Sequence, residues 1–168
     1  VCDSGRCGGS AFEAEPNEAQ FNYKAGVLAA ALADIDADIV LLQEVEKEIC
    51  LQTLNQAFDT PYSVAVHGET NFAGSLDVAI LSRGALEGVT GYRDETTLRL
   101  PNGGTRNFAR ELLQVEVSLD GRPVFALAAH FKSKNNDVEG WRLAEAEAAE
   151  AIVSELAAAN PDAFVVFG

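Results

Sequence analysis

Methionine is absent from this 168-residue chain, basic residues are scarce, and no long apolar run occurs. Twelve Lys and Arg stand against 26 Asp and Glu, for a formal net charge of −14, which excludes a chain-wide basic face of the kind that grips nucleic acid non-specifically. It does not exclude chemistry at phosphate, because a bound cation can supply the positive charge and only a local basic rim is then needed. The plain reading of the acidity is solubility. Nothing approaches the run of ~20 apolar residues that a membrane-spanning helix requires. With no methionine, a start at Val1 and an end at Gly168 inside an apolar strand, the chain reads as a segment of a longer protein.

Cysteine is scarce as well, with three in all. Cys2 and Cys7 enclose a short glycine-bearing segment and are a disulfide candidate; two cysteines do not make a structural zinc site unaided. A disulfide there implies an oxidising compartment, and hence a secreted or periplasmic protein; without it a cytoplasmic one is expected. Cys50 reads as an ordinary buried thiol.

What is present is 48% apolar residues, enough for one α/β domain over residues 1–168 with a loop or disordered lead-in at 1–16. Asn17 and Gln20 form an N-cap pair ahead of a helix whose buried face carries Phe21, Ala25, Leu28, Leu32 and Ile35. A second helix over 46–58 buries Ile49, Leu51, Leu54 and Phe58. Strands are expected at 37–46, 62–66 and 77–82, with a polar loop at 67–75 between the last two. An edge strand is expected within 86–100, and the pair 110–119 and 123–130 turns at Asp120-Gly121, a strong hairpin signal. A long helix over 139–158 precedes a closing strand at 163–167.

Three of these strands run apolar into a polar group or a glycine at their carboxyl ends, where α/β folds build sites. Val40-Leu41-Leu42 leads to Glu44, Val124 to Ala129 leads to His130, and Phe164 to Phe167 leads to Gly168. Strand alternation places Glu44 on the face of Val40 and Leu42, and a carboxylate just past such a core calls for a positive partner, for which a divalent cation is the natural candidate.

The blocks Asp-Ile-Val-Leu-Leu-Gln-Glu-Val (38–45), Leu-Asp-Val-Ala-Ile-Leu-Ser-Arg (76–83), Ala-Arg-Glu-Leu-Leu-Gln-Val-Glu-Val (109–117), Ala-His-Phe-Lys-Ser-Lys (129–134) and the final Val-Val-Phe-Gly resemble, in order and spacing, the endonuclease/exonuclease/phosphatase superfamily, deoxyribonuclease-like and of bacterial type. The resemblance implies a four-layer α/β/β/α sandwich of two mixed sheets, represented here by about its first half. It implies metal-dependent phosphoester hydrolysis by in-line attack of an activated water. A nuclease acting on nucleic acid is the first reading; a sphingomyelinase-like phospholipid phosphodiesterase, or an inactive binding module of the same fold, are the alternatives. A monomer is expected.

The resemblance also implies roles. Glu44 would bind the cation, Mg2+ or else Mn2+ or Ca2+, against the alternative of a solvated glutamate. His130 would stabilise the phosphoryl oxygens, against a satisfied core histidine. Arg110, Lys132, Lys134 and Asn71 would contact phosphate or substrate, with a pairing of Arg110 to Glu111 or Glu116 and a plain surface loop as the alternatives. His67 and Glu69 share the loop of Asn71. Asp77 lies near the site or caps a turn, and Arg142, beside Trp141, is structural first. The family's first-strand asparagine, the Gly-Asp-x-Asn motif expected from Gly168 onward and the later Asp-His pair are not among these residues, so activity is expected of the complete protein and not of the 168 residues alone.

Overall fold

A computed structural model describes residues 17–70, 76–135, 137 and 140–168. Asn71, Cys2, Cys7, the 1–16 lead-in and the expected helix start at 139 fall outside them.

Helix α1 (Glu18–Ile35) begins where the Asn17 side chain accepts the Gln20 amide at 3.0 Å, and ends at Asp36 in the left-handed region, φ 51°. Strand β1 (Ile39–Val45) follows, then α2 (Glu48–Gln56), β2 (Val64–Gly68) and β3 (Asp77–Ser82). These three strands form an antiparallel sheet in the order β1-β3-β2. Next come β4 (Ala85–Gly91), the short pair β5 (Leu98–Arg99) and β6 (Thr105–Arg106), β7 (Leu112–Leu119), β8 (Arg122–Ala129), α3 (Trp141–Ala159) and β9 (Phe164–Phe167). The second sheet runs β4-β7-β8-β9, with β9 parallel to β8 across the α3 crossover. The expected sandwich of two mixed sheets is therefore one mixed and one antiparallel sheet among the described residues.

The β7–β8 hairpin closes on Asp120 and Gly121, φ 50° and 78°. Both are left-handed, the arrangement whose twist matches a two-residue hairpin.

Three apolar layers hold the sandwich. Val64, Val78 and Ile80 of the first sheet meet Leu113, Val115 and Ala126 of the second in the central layer. Ala29, Leu51, Leu54 and Phe58 pack α1 and α2 on the outer face of the first sheet. Ala144 and Ala149 of α3 pack with Leu127, Leu98 and Phe108 on the outer face of the second. Full burial of a side chain such as Ile80 is worth about 2–3 kcal/mol. Strand β3 is buried along its whole length because both its neighbours and both its faces are covered.

Several sequence expectations change. β1 lies at a sheet edge, and Val40 is its one buried residue. β9 is largely exposed. Ile49, Leu28 and Ile35 face solvent, and Cys50 is half-buried rather than buried. His67 and Gly68 are not loop residues but the end of β2, since the ladder with β3 continues through His67↔Ala79 and Gly68↔Val78.

Candidate functional site

Glu44 does not lie on the Val40–Leu42 face by simple alternation. The β1–β3 register shifts between Gln43 and Val45, and Glu44 sits in that bulge at φ 60°. A non-glycine residue in the left-handed region costs about 1–3 kcal/mol, and such outliers concentrate where a side chain must be aimed. The bulge turns the Glu44 carboxylate out of the ladder, leaving it 61% exposed, and brings Oε1 to 3.7 Å from His130 Nε2.

His130 follows β8 directly. Its Nδ1 stands 3.3 Å from the Leu76 carbonyl, which can only accept, so Nδ1 carries the proton and Nε2 faces Glu44. Gly168 is near: its carbonyl accepts the Ala129 amide at 2.8 Å. The carboxyl ends of β1, β8 and β9 thus converge at one end of the sandwich.

Next to Glu44, His67 Nε2 lies 3.1 Å from the Val45 carbonyl. The same ring faces two carboxylates, Glu69 Oε2 at 4.0 Å from Nδ1 and Asp77 Oδ2 at 4.0 Å from Nε2. Asp77 opens β3 fully buried, and its other oxygen accepts the Thr70 hydroxyl at 2.5 Å. Burial pushes the Asp77 carboxyl up from its ordinary value and the Thr70 hydroxyl pulls it back, while the Glu69 charge pushes it up further.

On the far side of Leu76 a cleft of about 460 Å3 is lined by Arg93, Arg106, Arg110, Lys132, Phe108 and Trp141, among others. Four of the chain's twelve cations line this one hollow. Arg106 stacks over the Trp141 ring at 5.7 Å, and the indole N–H donates to the Asn107 carbonyl at 2.9 Å. Leu76 also lines a second hollow, of about 350 Å3, bounded by α1, α2 and the Glu44 end of β1.

The cleft is braced by Glu145, a residue to which no sequence signal pointed because it falls on the buried face of an ordinary-looking alanine-rich helix. Its carboxylate is fully buried and accepts the amides of Ala109 (2.7 Å) and Lys132 (2.6 Å), joining the entry of β7 to the exit of β8. Burial raises its pKa, against the lowering effect of those two amides and of the Arg110 charge. Arg110 donates to the Phe131 carbonyl at 3.1 Å, and its charge acts on the Glu145 carboxylate. The Glu111 carboxylate accepts the Tyr92 and Arg93 amides instead.

Glu145→Ala should therefore destabilise the protein by about 2–4 kcal/mol in denaturant titrations, because two buried amides lose their acceptor. The pH dependence has a defined sign. A carboxyl held above its ordinary value in the folded state binds its proton more tightly there than in the unfolded chain, so stability rises as pH falls from neutral toward the ordinary glutamate value of 4.5. The rise in melting temperature between pH 7 and 5 should be smaller in Glu145→Gln than in the unchanged protein.

Of the residues singled out in the sequence, the fold thus gathers Glu44, His130 and Asp77 at one end, with Arg110 and Lys132 across Leu76. Lys134 is exposed beyond the cleft, and Arg142 is exposed in the first turn of α3, where its amide meets Asp137 at 3.3 Å. The sequence matches no family model, and no curated protein matches it. Solved structures do. TDP2 from Caenorhabditis elegans superposes with a TM-score of 0.64 at 22% identity, covering 90% of this chain and 42% of that one. An endonuclease/exonuclease/phosphatase family protein from Leptotrichia buccalis gives 0.51 at 18% identity over 80% of this chain and 57% of that one. The chain has the endonuclease/exonuclease/phosphatase fold. TDP2 from D. rerio, in complex with a single-strand DNA product, gives 0.59 at 18% identity over 91% of this chain and 54% of that one. The chain thus spans about half the length of the endonuclease/exonuclease/phosphatase structures it resembles.

Proposed function

We propose that these residues supply the cation- and phosphate-binding end of a divalent-metal-dependent phosphodiesterase domain whose substrate is nucleic acid. The observation that carries the reading is the juxtaposition of the Glu44–His130 pair with a basic, aromatic cleft in a chain of net charge −14. Scarce cations collected beside an aromatic ring suit a phosphate backbone with an adjacent base. A protein of the same fold was solved with a single-strand DNA product, which is in keeping with a nucleic-acid substrate.

The donor set fits a hard cation at Glu44. An exposed carboxylate aimed out of the sheet suits Mg2+, which keeps several waters and is held by one or two carboxylates together with substrate phosphate. Bound there, such an ion would neutralise charge on the phosphoryl oxygens. The chain's own residues do the rest. His130, oriented by the Leu76 carbonyl, would as the doubly protonated imidazolium donate its Nε2–H to a phosphoryl oxygen in place of Glu44, and Arg110 and Lys132 would hold the flanking phosphate.

The complete protein, stripped with EDTA, should regain cleavage of single-stranded DNA when Mg2+ or Mn2+ is restored. Duplex DNA, RNA and sphingomyelin vesicles form the comparison arms. Preferred hydrolysis of sphingomyelin would move the reading to the phospholipid class, and no metal-dependent cleavage of any of them would overturn it. Substituting Arg93 and Arg106 together by alanine should raise KM for DNA about tenfold at low salt, change kcat little, and flatten the dependence of log KM on log salt.

A further inference from the structure

The cluster of His67, Glu69 and Asp77 lies outside the Glu44–His130 pair, and its side chains are built as ligands rather than as ordinary core. One ligand atom from each lies within 4.8 Å of the other two. Donors about 2.1 Å from a shared ion stand up to ~4.2 Å apart, so the three need to close by about 0.5 Å. Two buried atoms in the cluster have no hydrogen-bond partner, His67 Nδ1 and Asp77 Oδ2, in side chains only 3% and 1% exposed. Buried polar atoms are rarely left this way.

The tautomer follows from the backbone. The Val45 carbonyl 3.1 Å from His67 Nε2 only accepts, so the neutral ring carries its proton on Nε2 and leaves a bare lone pair on Nδ1, on the side of Glu69. A ligating histidine is characteristically oriented through its second nitrogen in this manner. The Thr70 hydroxyl occupies Asp77 Oδ1, and Oδ2, 4.0 Å from His67 Nε2, has no hydrogen-bond partner. Glu69, 47% exposed, provides an entry path from solvent.

We infer that His67, Glu69 and Asp77 form a divalent-cation site of mixed nitrogen and oxygen donors, separate from Glu44 and suited to Zn2+ or Mn2+ more than to Mg2+ or Ca2+. The choice of ion follows from the imidazole, which suits transition-series cations, whereas Mg2+ and Ca2+ take oxygen ligands. The site stands independently of the hydrolytic reading. Because His67 is bonded to Val45, occupancy would also steady the bulge that carries Glu44.

The test is cation binding to the complete, EDTA-treated protein, using Zn2+ or Mn2+ alone as probe and reading thermal stability, Mn2+ electron paramagnetic resonance and the visible spectrum of a Co2+ derivative. Micromolar Zn2+ should raise the melting temperature by about 5 °C, in a manner that grows with the logarithm of concentration. Glu44→Gln should keep that shift. Glu69→Gln, an exposed change that leaves the core intact, should remove it, as should Asp77→Asn. An equal shift in Glu69→Gln and the unchanged protein would place the ion elsewhere and overturn the inference. So would the absence of any shift or bound-ion spectrum in the unchanged protein, which would leave the cluster as two carboxylates sharing a proton.

Discussion

His130→Ala in the complete protein is expected to lower kcat by about 10²–10⁴-fold while the melting temperature moves by no more than a few degrees. The ring is 23% exposed, ends a strand rather than filling a core layer, and spends one nitrogen on the Leu76 carbonyl. Its removal costs one hydrogen bond, to the part-buried Leu76 carbonyl. A histidine serving the core would show the opposite signature, a loss of about 1–3 kcal/mol in stability with turnover per folded molecule unchanged. Measuring kcat and melting temperature on the same preparation separates the two, because an interaction made mainly in the transition state appears in kcat and not in folding. Normal turnover per folded molecule would remove His130 from the chemistry.

The second large effect is expected at Glu44, where two substitutions together say more than either alone. Glu44→Gln should reduce metal-stimulated turnover by orders of magnitude and weaken Mg2+ binding, since an amide is a poorer ligand for a hard cation than a carboxylate. Glu44→Gly should abolish the same activity yet leave the protein at least as stable as before, because glycine adopts φ 60° without the steric cost borne by glutamate. Gain in stability with loss of activity at one position is the mark of a backbone strained to aim a side chain. A glycine variant that unfolds more easily would mean that the bulge is held by the carboxylate and not against its strain. Unaltered Mg2+ binding in Glu44→Gln would remove the metal role.

Much of the layout was legible because local rules and tertiary packing agree. The Asn17 cap, the Asp120-Gly121 turn and the apolar runs of β3, β7 and β8 are each stabilised within a few residues, so the chain declares them without help from distant partners. The same holds for the strand-end polar groups. Glu44 and His130 could be picked out as the polar terminations of apolar strands, and the pair meets at 3.7 Å.

Other features belong to the assembled fold. The bulge at Glu44 arises where β1 and β3 fall out of register, a property of two strands more than 30 residues apart in sequence, so alternation along β1 alone put Glu44 on the wrong face. His67 was read as loop because polar residues follow it, whereas the ladder with β3 extends the strand through Gly68. Glu145 sits among alanines and glutamates with nothing local to distinguish it, and only α3 docking on the second sheet brings its carboxylate to the amides of Ala109 and Lys132.

The sequence by itself determined most of the strands and helices, the net acidity, and the two polar residues at which apolar strands end, because periodicity, capping and turn preferences act over a few residues. Only the tertiary structure decided which cations share a cleft, which histidine nitrogen is left bare, and which glutamate is buried and paired. Those depend on strand register and on the docking of one layer against another, and the energies that set them, desolvation and hydrogen bonding between distant groups, exist only once the layers have closed.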